Sequence, residues 1–126
     1  MSLSSLEIGE NLKRLRKING LNQGDVANAL NIDRTTYTKY EKGRTPSLEM
    51  LRKLTLIFDV SLAELLGEGE YAEKIRIASE DSEPKLRDLY LSPEEKQLIM
   101  RFRLCDDSDK RKIMDEVIDL AIKDEK

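Results

Sequence analysis

The chain has no histidine and only one cysteine, Cys105, among its 126 residues. A single cysteine cannot close an internal disulfide. Without histidine, the usual zinc, haem, Ser-His and Cys-His chemistries lose their common partner. Cys105 borders an apolar helical stretch and reads as a packing residue. No apolar run approaches the ~20 residues of a membrane span, and the N-terminus lacks the basic-then-apolar order of a signal peptide. The acidic run Asp106-Asp107-Ser108-Asp109 lacks the turn glycine and distal glutamate of a calcium loop, so it reads as a helix cap. These absences predict a soluble cytoplasmic protein with no metal, no cofactor and no membrane contact. No polar constellation for catalysis is found, so an enzyme is not expected.

The net charge of −3 hides an asymmetry. Residues 1–66 carry 10 Lys and Arg against 8 Asp and Glu, whereas residues 67–126 carry 12 against 17. The first half is modestly basic and the second acidic. A polyanion is attracted by the local field rather than by the total charge, so the first half remains a candidate to bind one.

The most informative stretch is NQGDVANALNIDRTTYTKYEKG, residues 22–43. Val26, Ala27 and Leu30 make the apolar stripe of one short helix, with Asn22 as its cap and Leu21 and Val26 as a hydrophobic staple. Asp33 is placed to cap a second short helix, and Asn31 between them tolerates the left-handed backbone of a tight turn. At about 100° per residue, Tyr37 and Tyr40 face one side of the second helix. Thr35, Thr38, Lys39 and Lys42 face the other. Hydroxyls and amines on an outer face can bond base edges and phosphates, as a helix in the DNA major groove must. A merely solvated face would look the same by periodicity alone.

The stretch resembles the helix-turn-helix of the phage-repressor and Cro type, the Xre family. Gln23 opens the first motif helix and Ala27 stands where the family has a small residue at the helix crossing. TTYTKYEKGR followed by TPS looks like the recognition helix and its exit loop, and VSLAELL looks like a fifth helix. The resemblance covers roughly Ile8 to Leu66. Asn31 replaces the usual glycine, and Tyr37 an aliphatic residue; the turn tolerates the first, and the second is expected to fill the core with its hydroxyl at the edge. The family implies an all-α, five-helix, lambda-repressor-like DNA-binding domain. It also implies that Arg16 pairs with Glu41, fixing the recognition helix. Base reading falls to Asp33, Arg34, Thr35, Thr38 and Lys39, and phosphate gripping to Gln23, Lys42 and Arg44.

Other elements follow from caps and stripes. Ser4 and Glu7 have capping-box spacing for a helix over about 5–19, with Ile8, Leu12 and Leu15 buried and Gly20 at its end. Ser47 caps a helix with the stripe Leu48, Leu51, Leu54 and Phe58, and Ser61 caps a short one ended by Gly67. The first domain is thus 1–67. Residues 68–91 lose periodicity and read as a linker. Ser92-Pro93-Glu94-Glu95 opens a helix with the stripe Leu98, Ile99 and Phe102. A last helix carries Ile113, Met114, Val117, Ile118, Ala121 and Ile122.

The last two helices predict a C-terminal hairpin over 92–126, too small to bury both stripes alone. The first domain could cover them, but across an acidic linker the same hairpin of a second copy is the expected partner. Dimerisation is assigned to Leu98, Phe102, Ile113, Val117, Ile118 and Ala121. The whole reads as a regulator, a repressor binding an inverted-repeat operator as a homodimer on double-stranded DNA. The alternative is an interaction adaptor or antitoxin whose hairpin binds a partner protein.

Overall fold

A computed structural model describes residues 5–67 and 90–123, with side chains from residue 7 onward. The expected Ser4 cap and nearly all of the 68–91 linker lie outside the described residues. The described residues form seven helices: α1 (Ser5–Ile18), α2 (Gln23–Leu30), α3 (Arg34–Glu41), α4 (Leu48–Phe58), α5 (Leu62–Leu65), α6 (Pro93–Leu104) and α7 (Asp107–Ile122). The described residues include no strand.

Side-chain caps set most of the helix starts. Asn22 Oδ1 accepts from Asp25 N at 2.8 Å, and Asp25 Oδ2 accepts from Asn22 N at 2.9 Å, a reciprocal box. Ser92 and Glu95 form another, while Ser47, Ser61 and Asp106 each accept from the backbone three residues on. Asp33 is an exception. It occupies the cap position of α3, but its side chain makes no cap hydrogen bond, contrary to expectation.

The ends of α1 to α4 close alike. Gly20, Asn31, Gly43 and Asp59 take positive φ at 68°, 58°, 118° and 55°. In each case the next amide donates to a carbonyl five residues back, as Ile32 N does to Ala27 O and Arg44 N to Lys39 O. This left-handed closure satisfies orphan carbonyls and turns the chain sharply. Asn31 therefore does the work that a glycine commonly does.

The core gathers Leu12, Leu15, Val26, Ala27, Tyr37, Leu54, Ile57 and Leu65 between α1 to α5. Each large side chain removed from water here is worth roughly 1.5–3 kcal/mol. Leu48 departs from its expected stripe: at the first position of α4 it is 75% exposed, while Leu54, Ile57 and Phe58 carry the buried face. The Tyr37 hydroxyl also departs, since the whole residue is buried and the phenol has no hydrogen-bond partner.

The two expected C-terminal helices are present, but they do not stand apart from the first domain. Helix α6 packs against α2 and α4 of the first domain, whereas α7 packs extensively on no other described helix and buries no residue. Met100 is fully enclosed and Leu104 packs beside it on the common core. The side of α6 that docks is thus Met100 and Leu104, one helical turn apart. The Leu98 side looks outward, with Leu98 61% exposed.

The cations of α6 explain why docking wins. Lys96 Nζ donates to Gly20 O at 2.9 Å, Gln97 Nε2 to Asp25 O at 2.8 Å, and Arg103 Nη1 to Ile57 O at 2.6 Å. Arg101 Nη2 reaches both Asn28 O and Oδ1. These cations hold backbone carbonyls, several at helix C-terminal ends where a cation is favoured, while their stems cover apolar surface.

Candidate nucleic-acid interface

Helices α2 and α3 and the turn 31–33 form the two-helix unit, and α3 is its exposed member. Tyr37, Tyr40 and Glu41 are its buried residues, with the two rings edge-on at 87° and 6.4 Å between centroids. Asp33, Arg34, Thr35 and Lys39 are exposed, and so are Lys42 and Arg44 just beyond the helix. The spacing therefore separates an inward aromatic face from an outward polar one, as the sequence predicts.

Two of the assigned residues turn toward each other. Thr38 Oγ1 donates to Gln23 Oε1 at 3.0 Å, and Gln23 Nε2 donates to Glu41 Oε1 at 3.1 Å. Gln23 thereby ties the start of α2 to the middle and end of α3. Both side chains are only half-buried, so each still borders the outer surface.

Beneath them lies the ion pair. Arg16 Nε donates to Glu41 Oε2 at 2.7 Å and Nη2 to Oε1 at 3.1 Å, a two-pronged contact, while Nη1 donates to Leu21 O at 3.0 Å. Both residues are 8% exposed. Burial raises the Glu41 pKa, but hydrogen bonds from Arg16 and Gln23 overcome that and hold the carboxyl below the usual glutamate range. The hydrogen bond to Glu41 outweighs desolvation at Arg16 and raises its pKa. Burial, with the nearby Glu41 charge, pushes the Tyr37 phenol far above its usual range, so it stays neutral.

The pair has an electrostatic consequence outside the core. Glu41 is neutralised from within, leaving Arg34, Lys39, Lys42 and Arg44 to set the field of the outer face, with Asp33 as the opposing acid. Gly9 was not singled out from sequence. A Cβ there would stand 2.5 Å from Glu41 O and 2.7 Å from Tyr40 O. Glycine is thus what lets α1 pass directly over the end of α3.

No group of residues suited to holding a metal ion occurs among the described residues. No described helix is long and apolar enough to cross a membrane.

Known proteins place this geometry. Residues 12–65 match the helix-turn-helix family profile. The chain is 35% identical over 97 residues to the cryptic phage CTXphi transcriptional repressor RstR of Vibrio cholerae, covering 71% of this chain and 86% of that one. It is 46% identical over 67 residues to the HTH-type transcriptional regulator YqaE of Bacillus subtilis, 52% of this chain and 57% of that protein. It is 30% identical over 110 residues to the antitoxin PezA of Streptococcus pneumoniae, 86% of this chain and 67% of that one. No solved structure matches it. With its two-helix unit, its exposed cationic third helix and these relatives, the chain belongs to the Xre-type helix-turn-helix family of DNA-binding transcriptional regulators.

Proposed function

We propose that the chain is a repressor that binds an inverted-repeat operator as a dimer, with α3 in the major groove. The carrying observation is the outer face of α3, cationic and free of large apolar groups, above a carboxylate that is neutralised from behind. Likeness to a named phage repressor supports the sign of regulation. Asp33, Arg34, Thr35 and Lys39 are the base readers, Thr38 contributes from the groove wall, and Lys42 and Arg44 hold phosphates. Gln23 borders the phosphate side while its amide fixes α2 to α3.

Arg34 supplies the sharpest test. Arg34→Ala should cost roughly 1–3 kcal/mol on the preferred site and relax preference at one base position, as loss of a bidentate guanine contact would. Binding-site selection from random DNA, run on wild type and variant, checks this. An equal loss on every sequence would move Arg34 to the backbone-contact class.

Lys42 should behave in the opposite way. Lys42→Ala is expected to weaken specific and nonspecific binding alike and to reduce the slope of log affinity against log salt by about 1. Titrations at several salt concentrations measure it, and an unchanged slope removes Lys42 from the interface.

A second reading rests on α7. Likeness to an antitoxin extends over 86% of the chain, and α7 presents Met114, Val117 and Ile118 about half exposed. In that reading α7 binds a protein of different sequence. Sedimentation separates the two: a dimer of this chain at micromolar concentration supports self-association, whereas a monomer favours the heterologous partner.

A further inference from the structure

We propose that Thr38 reads an amino group on a base edge, the N6 of adenine or the N4 of cytosine, because hydrogen bonds running from Glu41 through Gln23 commit its hydroxyl to accepting. The proposal deepens the reading of α3 as the groove helix and rests on it. A threonine hydroxyl alone has no such preference, since it both donates and accepts and can meet any base. The contacts beneath Thr38 remove that choice.

The Glu41 carboxylate, held by the two-pronged Arg16 contact, can only accept. Its Oε1 lies 3.1 Å from Gln23 Nε2, so the Gln23 amide presents nitrogen to it. Turned over, the amide would set oxygen against carboxylate oxygen. With Nε2 directed at Glu41, Oε1 is the amide atom left 3.0 Å from Thr38 Oγ1, and it needs a donor. Thr38 has one hydroxyl hydrogen, and this bond uses it. The half-buried hydroxyl is left with accepting capacity alone. In the major groove the adenine N6 and cytosine N4 amino groups donate, whereas guanine N7 and O6 and thymine O4 accept. Turning the hydroxyl toward guanine or thymine would strand the Gln23 oxygen, so these bases meet either a lone pair or an unpaired amide behind it. Gln23 and the buried pair of Arg16 and Glu41 are thus positioning residues that bear on sequence choice through Thr38.

Site selection from random DNA, run on the full chain, tests this. The position in each half-site whose preference Thr38→Val abolishes should favour A or C in wild type, with G and T disfavoured by roughly five- to tenfold, the worth of one hydrogen bond. Thr38→Ser keeps the hydroxyl and should keep that preference. Gln23→Leu leaves the hydroxyl free to rotate, so the preference should relax at this position while the one read by Arg34 stays selective. Base analogues give a measurement that needs no Gln23 variant. Replacing the preferred adenine by purine, or the preferred cytosine by 2-pyrimidinone, removes the amino group and should weaken wild type by the same factor beyond any effect on Thr38→Val. Equal losses by the two proteins on the analogue, or a Thr38-dependent position that favours G or T, would overturn the acceptor assignment. So would a Gln23→Leu protein that keeps the A or C preference. Identical selections by wild type and Thr38→Val would show that Thr38 reads no base, which removes the inference and leaves α3 in the groove. A wild type that selects no sequence would remove the reading of α3 itself.

Discussion

Glu41→Ala should destabilise the fold by about 3–5 kcal/mol, a large share of the 5–15 kcal/mol that holds a domain of this size together. The variant leaves the Arg16 guanidinium buried with only the Leu21 carbonyl as partner, and an uncompensated buried charge is what makes breaking such a pair expensive. It also frees the Gln23 amide and, through it, Thr38. Recognition should therefore suffer beyond stability, with specific affinity lower even where the variant is fully folded. Urea unfolding followed by circular dichroism measures the first effect, and titration of a specific site at low temperature the second. The double variant Arg16→Met with Glu41→Met should be more stable than Glu41→Ala, because it leaves no orphan charge. A loss below about 1 kcal/mol for Glu41→Ala would mean that the pair behaves as a solvated surface contact.

The same pair fixes an acid dependence. The folded-state pKa of Glu41 is lowered, so its stabilising contribution is fully present above its unfolded value and is lost as pH falls through the folded one. The advantage of wild type over Glu41→Gln should hold at neutral pH and begin to shrink below the ordinary glutamate pKa of about 4.3. Arg16 stays charged throughout that range and Tyr37 stays neutral, so neither supplies a competing slope.

Local rules carried the reading where neighbours in sequence decide the structure. Asn22, Ser47, Ser61 and Ser92 cap helices because a side-chain oxygen reaches an amide three residues on, a relation visible in sequence. The stripes of α1 and α2 and the two faces of α3 were legible for the same reason. What escaped depends on distant contacts. Gly9 matters because the end of α3, more than thirty residues later, passes over it. Thr38 reads as an outward hydroxyl until Gln23, fifteen residues earlier, is seen to accept from it. Leu48 falls on its stripe by angle but precedes the part of α4 that meets other helices, so it stays exposed.

The docking face of α6 escaped for a further reason, and it carries the second large expected effect. Its cations hide the docking face, because Lys96, Arg101 and Arg103 on a helix suggest solvent until a carbonyl is there to receive them. An intervening segment, however long, does little to prevent docking, since loop-closure entropy grows slowly with length. Met100 is fully buried against α2 and α4, so Met100→Ala should cost about 2–5 kcal/mol, whereas Leu98→Ala on the exposed side of the same helix should cost under about 0.5 kcal/mol. Such a contrast would assign α6 to the DNA-binding unit rather than to a separate C-terminal element. A chain ending at Gly67 should then be markedly less stable and show faster amide exchange in α2, because the carbonyls of Asp25 and Asn28 and the surface over Met100 lose their cover. Hydrogen exchange on chains ending at Gly67 and at Cys105 would measure this directly. If α2 were equally protected in both, α6 would add nothing to the unit that presents α3 to DNA. If protection appears only in the longer chain, α2 depends on α6, and α6 links the recognition unit to whatever engages α7.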